Sequence, residues 1–249
     1  MDIPLILAVI HNHTDAVTLL LNKGADIDRK YVMNGRTALH HATRAGTLDM
    51  MVLLLDNYAN PNIYDDYNMT PLLIAVTSTL IDMERINILV KYGADMTVQD
   101  SDGRTPLHIA VLRRNIDIIK LLLRLSDNPI KLLNIENHGG YKPLLLAIHN
   151  GANIEILDLL AIPGTEGGIL HGLAYTRYFK EVLYLIHKGH DPNEKNSSGL
   201  TPLHIAITSE NYEMMQLLID NGANVHITNH DGLTALEMAR KQGVLICGH

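Results

Sequence analysis

Histidine is the residue type whose abundance in this chain suggests chemistry, because 14 of the 249 residues are histidine. Imidazole can bind a metal ion or act as a general acid or base near neutral pH. Two pairs have spacings that a metal site could use, His11 with His13 and His187 with His190, but neither has a set of Cys, Asp or Glu partners. Cys247 is the only thiol, and the motifs of metalloproteases, serine hydrolases and P-loop proteins are missing. The sequence therefore predicts no catalytic residue, no metal site and no cofactor.

Three other histidines, His40, His108 and His204, belong to a repeated hexapeptide. The string TPLHIA occupies residues 105–110 and returns at residues 201–206. Related strings end on alanines that are about 33 residues apart, namely Ala8, Ala42, Ala75, Ala110, Ala147, Ala174, Ala206 and Ala239. A catalytic motif rarely needs a second copy, whereas a period of this length is typical of repeat proteins. The sixth string, ILHGLA, lacks Thr-Pro and the histidine at the matching position.

Each repeat is predicted to contain two short helices and a tight connection. A glycine or asparagine stands two residues before most hexapeptides, where a turn needs a positive φ angle. In the fourth repeat Thr105 is a good N-cap, and Pro106 suits the first helical turn. A second helix is expected from about Ile116 to Arg124, with isoleucine and leucine on its inner side. A glycine just past this kind of apolar segment predicts the end of the second helix.

The period, the T-P-L-H-x-A pattern and the Gly-Ala-Asp that follows the second helix resemble the ankyrin repeat family, over nearly the whole chain. The resemblance implies an all-α solenoid of about eight helix-turn-helix units joined by short β-hairpin loops. It also implies that the hexapeptide histidines tie the hairpin backbone to the first helix. We expect a single repeat domain over residues 1–249. Its units span residues 1–33, 34–66, 67–101, 102–138, 139–166, 167–197, 198–230 and 231–249, of which the last is partial.

Residues 124–170 are the least regular part of the repeat pattern. The step from Ala110 to Ala147 is long and contains an insertion with Pro129, whereas the next step, to Ala174, is short. The Gly-rich segment 161–168 cannot hold a full second helix together with a full hairpin. Loop variation without a function and a binding role both explain this irregularity. The eighth unit is either a half-repeat cap or the end of one piece of a longer protein.

Composition limits the partners of the chain. A formal charge of −7 argues against nucleic acid as a partner, and no stretch approaches the roughly 18 apolar residues of a membrane span. A single cysteine cannot form an internal disulfide, which fits a reducing, cytoplasmic location. We expect a monomeric intracellular protein whose partners include neither nucleic acid nor membrane.

The expected binding surface follows from the geometry of ankyrin-like stacks, in which loop tips and the exposed face of the first helices form a concave surface. Tyrosine and arginine, which are enriched at protein interfaces, recur there. The arginines predict a basic groove, which favours an acidic peptide or an acidic protein patch. The candidate partner-binding residues are Arg29, Tyr31, Arg36, Arg44, Tyr64, Tyr67, Arg104, Leu112, Arg113, Tyr141, Arg177 and Tyr178.

The leading functional prediction is a non-catalytic scaffold that binds another protein through this surface. The alternative is a targeting module of a larger multidomain enzyme or of a host-directed microbial effector, with its activity outside this segment. The fold alone supports interaction as a class of function and selects no partner.

Overall fold

A computed structural model of the chain describes residues 3–78, 82–161 and 169–243. These residues contain 16 α-helices and no β-strand, so the predicted all-α repeat class is confirmed. The helices are α1 (Ile3–Ile10), α2 (Thr14–Asn22), α3 (Ala38–Ala45), α4 (Leu48–Asp56), α5 (Pro71–Thr77), α6 (Met83–Lys91), α7 (Pro106–Leu112), α8 (Ile116–Leu125), α9 (Pro129–Asn134), α10 (Pro143–His149), α11 (Ile154–Leu160), α12 (Ile169–Leu173), α13 (Phe179–His187), α14 (Pro202–Thr208), α15 (Tyr212–Asp220) and α16 (Ala235–Lys241).

The chain divides into two compact units, unit 1 (Met1–Leu146) and unit 2 (Ala147–His249), and the division falls inside α10.

Unit 1 contains four helix pairs, α1 with α2, α3 with α4, α5 with α6 and α7 with α8, followed by α9 and part of α10. The first helices of these pairs pack on one another in chain order, and so do α4, α6 and α8. Ala42, Ala75 and Ala110, which end three of the hexapeptides, have at most 3% of their surface exposed. Their small side chains let neighbouring first helices approach closely, since close-packed interiors leave no room for larger ones.

Unit 2 has the same arrangement over fewer helices. α12 pairs with α13, α14 pairs with α15, and α14 packs on α12 and α16. Ala206 in α14 and Ala239 in α16 are fully buried. α16 ends at Lys241, and Gly243 in the turn that follows has a φ of 73°, as expected from the sequence. Residues 244–249, which include Cys247, lie outside the described part of the chain.

The helix ends follow local sequence signals. The Thr105 side chain accepts a hydrogen bond from the backbone N–H of His108, and Pro106 is the first residue of α7. α8 covers the predicted second helix and extends it by one residue, to Leu125. Within the predicted insertion Pro129 begins a short helix of its own, α9, rather than interrupting one. The predicted short connection, 161–168, falls almost wholly on residues that the structure leaves undescribed.

The connections expected as β-hairpins are tight turns that a backbone hydrogen bond closes. The N–H of Asp100 donates to the carbonyl oxygen of Arg104 at 3.0 Å, and the loop of Asp65 is closed in the same way. An isolated bridge between Thr228 and Thr234 is the only strand-like pairing in the described ranges. The loops therefore keep the closing hydrogen bond of a hairpin without its extended strands.

Gly103 lies where one loop meets the next. Its φ of 74° is in the left-handed region, which glycine adopts without steric cost. The carbonyl oxygen of Asp102 accepts a hydrogen bond from the backbone N–H of His138 at 3.0 Å. A Cβ atom on Gly103 would lie 2.6 Å from that same His138 nitrogen. Glycine is thus required here both by the turn and by the close approach of the next loop.

Replacing Gly103 with alanine is expected to destabilise the protein more than the same change at Gly140. Both residues have left-handed φ angles, 74° and 76°, so both variants pay the same conformational cost. Among the described residues only Gly103 of the two has a neighbouring backbone within 4 Å of the new Cβ, and the resulting displacement should cost about 1–3 kcal/mol in addition. Urea unfolding of the two variants measures the difference, and equal midpoints would contradict the loop contact.

Candidate protein-interaction surface

The three hexapeptide histidines are structural. His40, His108 and His204 have no exposed surface. In each, Nδ1 accepts a hydrogen bond from the backbone N–H of the threonine three residues earlier, at 3.1–3.2 Å. Because Nδ1 is the acceptor, Nε2 carries the proton and donates to a carbonyl oxygen of the next loop, as from His108 to Tyr141 at 2.9 Å. These rings link successive repeats, and burial lowers their pKa values, that of His40 to about 4.

The sixth repeat has a histidine in the same place, so the expectation that it lacks one is wrong, although among the described residues its Nδ1 has no partner. His171 Nε2 bonds the carbonyl oxygen of Leu200 at 2.8 Å, across the same 29 residues that separate His204 from Leu233. The sixth hexapeptide therefore begins one residue earlier than the alanine pattern suggests, and Leu173 takes the place of the alanine. With this alignment Tyr175, which is 62% exposed, corresponds to Arg44 of the second repeat.

The predicted loop-tip residues of unit 1 differ in exposure. Arg29, Tyr64 and Tyr67 are exposed, with 37% of Tyr64 and 62% of Tyr67 open to solvent. Tyr31 is half-buried, and its hydroxyl donates to the sulfur of Met33 at 3.3 Å. The tips therefore present tyrosine rings and polar groups on loops whose backbone is fixed by hydrogen bonds, which suits recognition of a protein partner.

Two of the predicted arginines are engaged inside the protein. Arg36 Nε lies 2.9 Å from Oδ2 of the buried Asp65 in the next loop, and its guanidinium carbon lies 5.9 Å from the centre of the Tyr67 ring. Arg104 forms ion pairs with Asp100 and Asp102, each at 2.8 Å. These two guanidinium charges are neutralised by neighbouring carboxylates, so they contribute less to a basic groove than the sequence suggests.

The first-helix residues of unit 1 leave more charge at the surface. Arg44, in the last turn of α3, is exposed, and Leu112 at the end of α7 is 37% exposed. Arg113 caps the end of α7, and its Nη1 donates to the carbonyl oxygen of Ser78 at 3.1 Å. Tyr141 is half-buried. Of the two arginines at the ends of these first helices, Arg44 is exposed and Arg113 bonds a backbone carbonyl oxygen, and neither forms an ion pair with a carboxylate among the described residues.

Unit 2 holds the two remaining predicted residues. Tyr178 is half-buried and directly precedes α13. Arg177 lines an open cleft of about 310 Å³. The other residues of this cleft are Tyr175, Ser209, Glu210, Asn211, Tyr212 and Glu213. Its floor is fixed, because the Asn211 side-chain amide donates to the carbonyl oxygens of Ala174 and Thr176.

Two exposed apolar residues at a loop tip are not among the predicted partner-binding residues. Val32 and Met33 stand at the tip of the first loop and are 91% and 78% exposed. The hydrogen bond that closes this loop, from Tyr31 N–H to the Arg36 carbonyl oxygen, spans five positions, whereas that of Asp65 spans four. The first loop is thus one residue longer than the loop of Asp65, and this extra length is visible in the repeat alignment. It is the signal that could have identified Val32 and Met33 as tip residues.

In residues 3–78, 82–161 and 169–243 no three metal-ligating side chains of the His, Cys, Asp or Glu type come together. None of the helices in these ranges has the length and apolar character needed to cross a bilayer.

Comparison with known proteins identifies the repeat. The family model for ankyrin repeats in three copies matches residues 5–100, 82–168 and 170–247. The chain is 29% identical to the E3 ubiquitin-protein ligase KEG of Arabidopsis thaliana, over 99% of the chain and 14% of the ligase. It is 27% identical to the B-cell lymphoma 3 protein homolog of Mus musculus, over 85% of the chain and 42% of that protein. It is 31% identical to the fowlpox virus protein FPV018, over 91% of the chain and 27% of the viral protein. The chain thus spans less than half the length of each of these relatives.

Proposed function

We propose that this chain, which belongs to the ankyrin repeat family, is a non-catalytic module that binds another protein through its loop tips and the exposed face of its first helices. The ankyrin repeat is an interaction fold, and its buried positions here are occupied by packing residues and structural histidines. The observation that carries the proposal is the exposure of Arg29, Tyr64 and Tyr67 on loops whose backbone is held by hydrogen bonds. Arg44 and Arg113 add exposed charge at the ends of two first helices. Pre-ordered aromatic and arginine side chains bind with a small loss of entropy.

The partner surface is proposed to be acidic. In unit 1 Arg44 and Arg113 lie at the ends of two first helices. Their guanidinium groups can bind carboxylates of a partner. Arg36 and Arg104 reinforce this surface only weakly, because Asp65 and Asp100 already pair with them. Rim charges of this kind chiefly raise the association rate and make binding depend on salt.

Charge reversal tests this surface. The variant with Arg44→Glu and Arg113→Glu is expected to bind the partner about tenfold more weakly, or about 1.4 kcal/mol. The partner is obtained by affinity capture from the native cell, then purified, and its affinity is measured by calorimetry at two salt concentrations.

A matched control is the variant with Lys23→Glu and Arg124→Glu. These exposed cations also stand at carboxyl ends of helices, but of the second helices α2 and α8. Both double variants therefore change net charge and helix-dipole interactions equally. Equal affinities of the two variants would overturn the proposed surface.

A second candidate function is supported by the coverage of the relatives. The match to this chain covers only 14% of the length of the ligase. The chain could therefore also be the targeting module of a larger protein, with the activity of that protein in another segment. The fowlpox relative is consistent with a host-directed effector as a special case. Intact-mass measurement of the native protein tests this alternative, because a mass of 27.6 kDa would leave no further domain.

We further propose a cytoplasmic monomer without a cofactor. The single cysteine supports a reducing location. Sedimentation equilibrium of the purified chain tests the oligomeric state, and a mass well above 27.6 kDa would contradict it.

A further inference from the structure

Tyr58 has a backbone conformation that the other repeats reserve for glycine. It follows the carboxyl end of α4 and has a φ of 66°. At the corresponding end of other second helices the left-handed residue is Gly24, Gly93, Gly189 or Gly222, with φ angles of 81–96°. A left-handed conformation is sterically unfavourable for any residue with a Cβ atom, and it is uncommon for a bulky one. A strained residue at a turn that glycine would relax indicates a function for its side chain.

The Tyr58 ring gains nothing from packing within the chain, since it is 90% exposed. It forms one wall of an open cleft of about 490 Å³ between the ends of the second and third repeats. Tyr92 forms part of the lining, and its hydroxyl donates to Asp56 Oδ1 at 2.6 Å. Leu55 and Ala59 lie beneath, each 4% exposed. The cleft therefore has aromatic walls and an apolar floor.

Besides the Tyr92 hydroxyl, the side chains of the cleft offer a ligand two hydrogen-bond donors, on Tyr58 and Asn60, and one carboxylate, that of Asp56. The Tyr58 hydroxyl and the Asn60 side-chain amide nitrogen have no hydrogen-bond partner among the described residues. Asp56 accepts from Tyr92 and forms no ion pair in the described ranges. Both donors are free to bind carbonyl oxygens of a ligand, and the carboxylate of Asp56 is free to bind a cation.

We propose that this cleft binds a proline-rich segment of a partner protein in the polyproline II conformation, with an arginine or lysine beside the prolines. Polyproline II offers apolar pyrrolidine rings to aromatic side chains and leaves its backbone carbonyl oxygens unpaired. Aromatic-lined grooves recognise this conformation in unrelated folds. The Tyr58 and Asn60 donors complement those carbonyl oxygens, and Asp56 complements the basic residue.

The surroundings of the cleft argue against other occupants. Lys91 Nζ already lies 5.9 Å from the centre of the Tyr92 ring, so a ligand recognised only as a cation would meet a like charge there. An α-helix is about 10 Å wide and needs a longer groove than the seven residues that line this cleft provide. A thin, extended segment that is held mainly by its prolines depends less on charge, and Asp56 offers its one basic residue a carboxylate.

The test uses a synthetic peptide of one arginine followed by six prolines, titrated into the full chain by calorimetry and by NMR. Saturable binding with shifts at Tyr58 and Tyr92 is expected. Tyr58→Gly should weaken binding at least tenfold while leaving the melting temperature unchanged or raising it, because glycine relieves the strained turn. Tyr67→Ala, which removes an exposed tyrosine that does not line the cleft, should leave the affinity unchanged.

Two comparison peptides make the proposal falsifiable. A glycine–serine peptide that carries the arginine should not bind, and equal affinity for it would overturn the proline requirement. A lysine-rich peptide that binds more tightly than the proline peptide would overturn it in favour of a simple cation site. None of the proposed loop-tip residues lines this cleft. Tyr58→Gly should not alter capture of the partner that Arg44 and Arg113 are proposed to bind, so either proposal can fail alone.

Discussion

Replacing Ala110 with aspartate is expected to lower the free energy of unfolding by about 3–5 kcal/mol, the cost of an uncompensated charge in a protein interior. Ala110 is fully buried in α7, which packs on α5 and α8. Leu107 and Val111 of the same helix are buried as well. An ionised carboxylate at this point would be removed from water. Thermal and urea unfolding, followed by circular dichroism, measure the loss.

Ala45→Asp is the matched control for this experiment. Ala45 is the last residue of α3, a first helix like α7, but its side chain is exposed. The new carboxylate would meet only the unfavourable carboxyl end of the helix dipole, at a cost of about 1 kcal/mol or less. A melting curve of the Ala110→Asp variant that matches the curve of the Ala45→Asp variant would show that the assigned helix register is wrong.

The features that the sequence could predict are those set by neighbouring residues. Thr105 and Pro106 fix the start of α7 because an N-cap and a first-turn proline act within one helical turn. The end of α8 was predicted to within one residue because the apolar period stops there. Repetition strengthened each local signal, since the same residues return at a period near that of one helix pair.

The features that the sequence could not predict depend on distant residues or on missing signals. The Arg36–Asp65 pair joins residues 29 positions apart, so a count of charges could not tell that this arginine is neutralised. In the sixth repeat Thr-Pro is absent, and the register is shown by the bond from His171 to Leu200. The 90% exposure of Tyr58 exists only in the folded chain, although its place in the repeat, where other units have glycine, is the signal that could have found its left-handed turn.

The hexapeptide histidines also make stability depend on pH. Burial lowers the pKa of His40 from 6.5 to about 4, and it lowers the pKa values of His108 and His204 as well. In the unfolded chain these rings titrate near their ordinary value, so between the two pKa values the unfolded state binds more protons. The stability that the neutral rings provide is complete above about pH 6.5 and is lost as the pH falls towards about 4.

Lowering the pH from about 7.5 to about 5 should therefore reduce the free energy of unfolding by about 2 kcal/mol through His40 alone. His108 and His204 shift in the same direction, so the measured loss should exceed this figure. Urea unfolding at the two pH values gives the difference.

His40→Gln should be less stable at the higher pH, since the link to the Met69 carbonyl oxygen is lost or weakened, yet it should lose less stability on acidification. His13→Gln, a change at an exposed position, should keep the full dependence on pH. If the His40→Gln variant and the unchanged chain lose the same free energy between the two pH values, the buried imidazole is not the group that couples folding to protonation. The dependence of stability on pH would then have to come from the other histidines of the repeat stack. His108→Gln tests this, because the His108 ring has the same two hydrogen bonds.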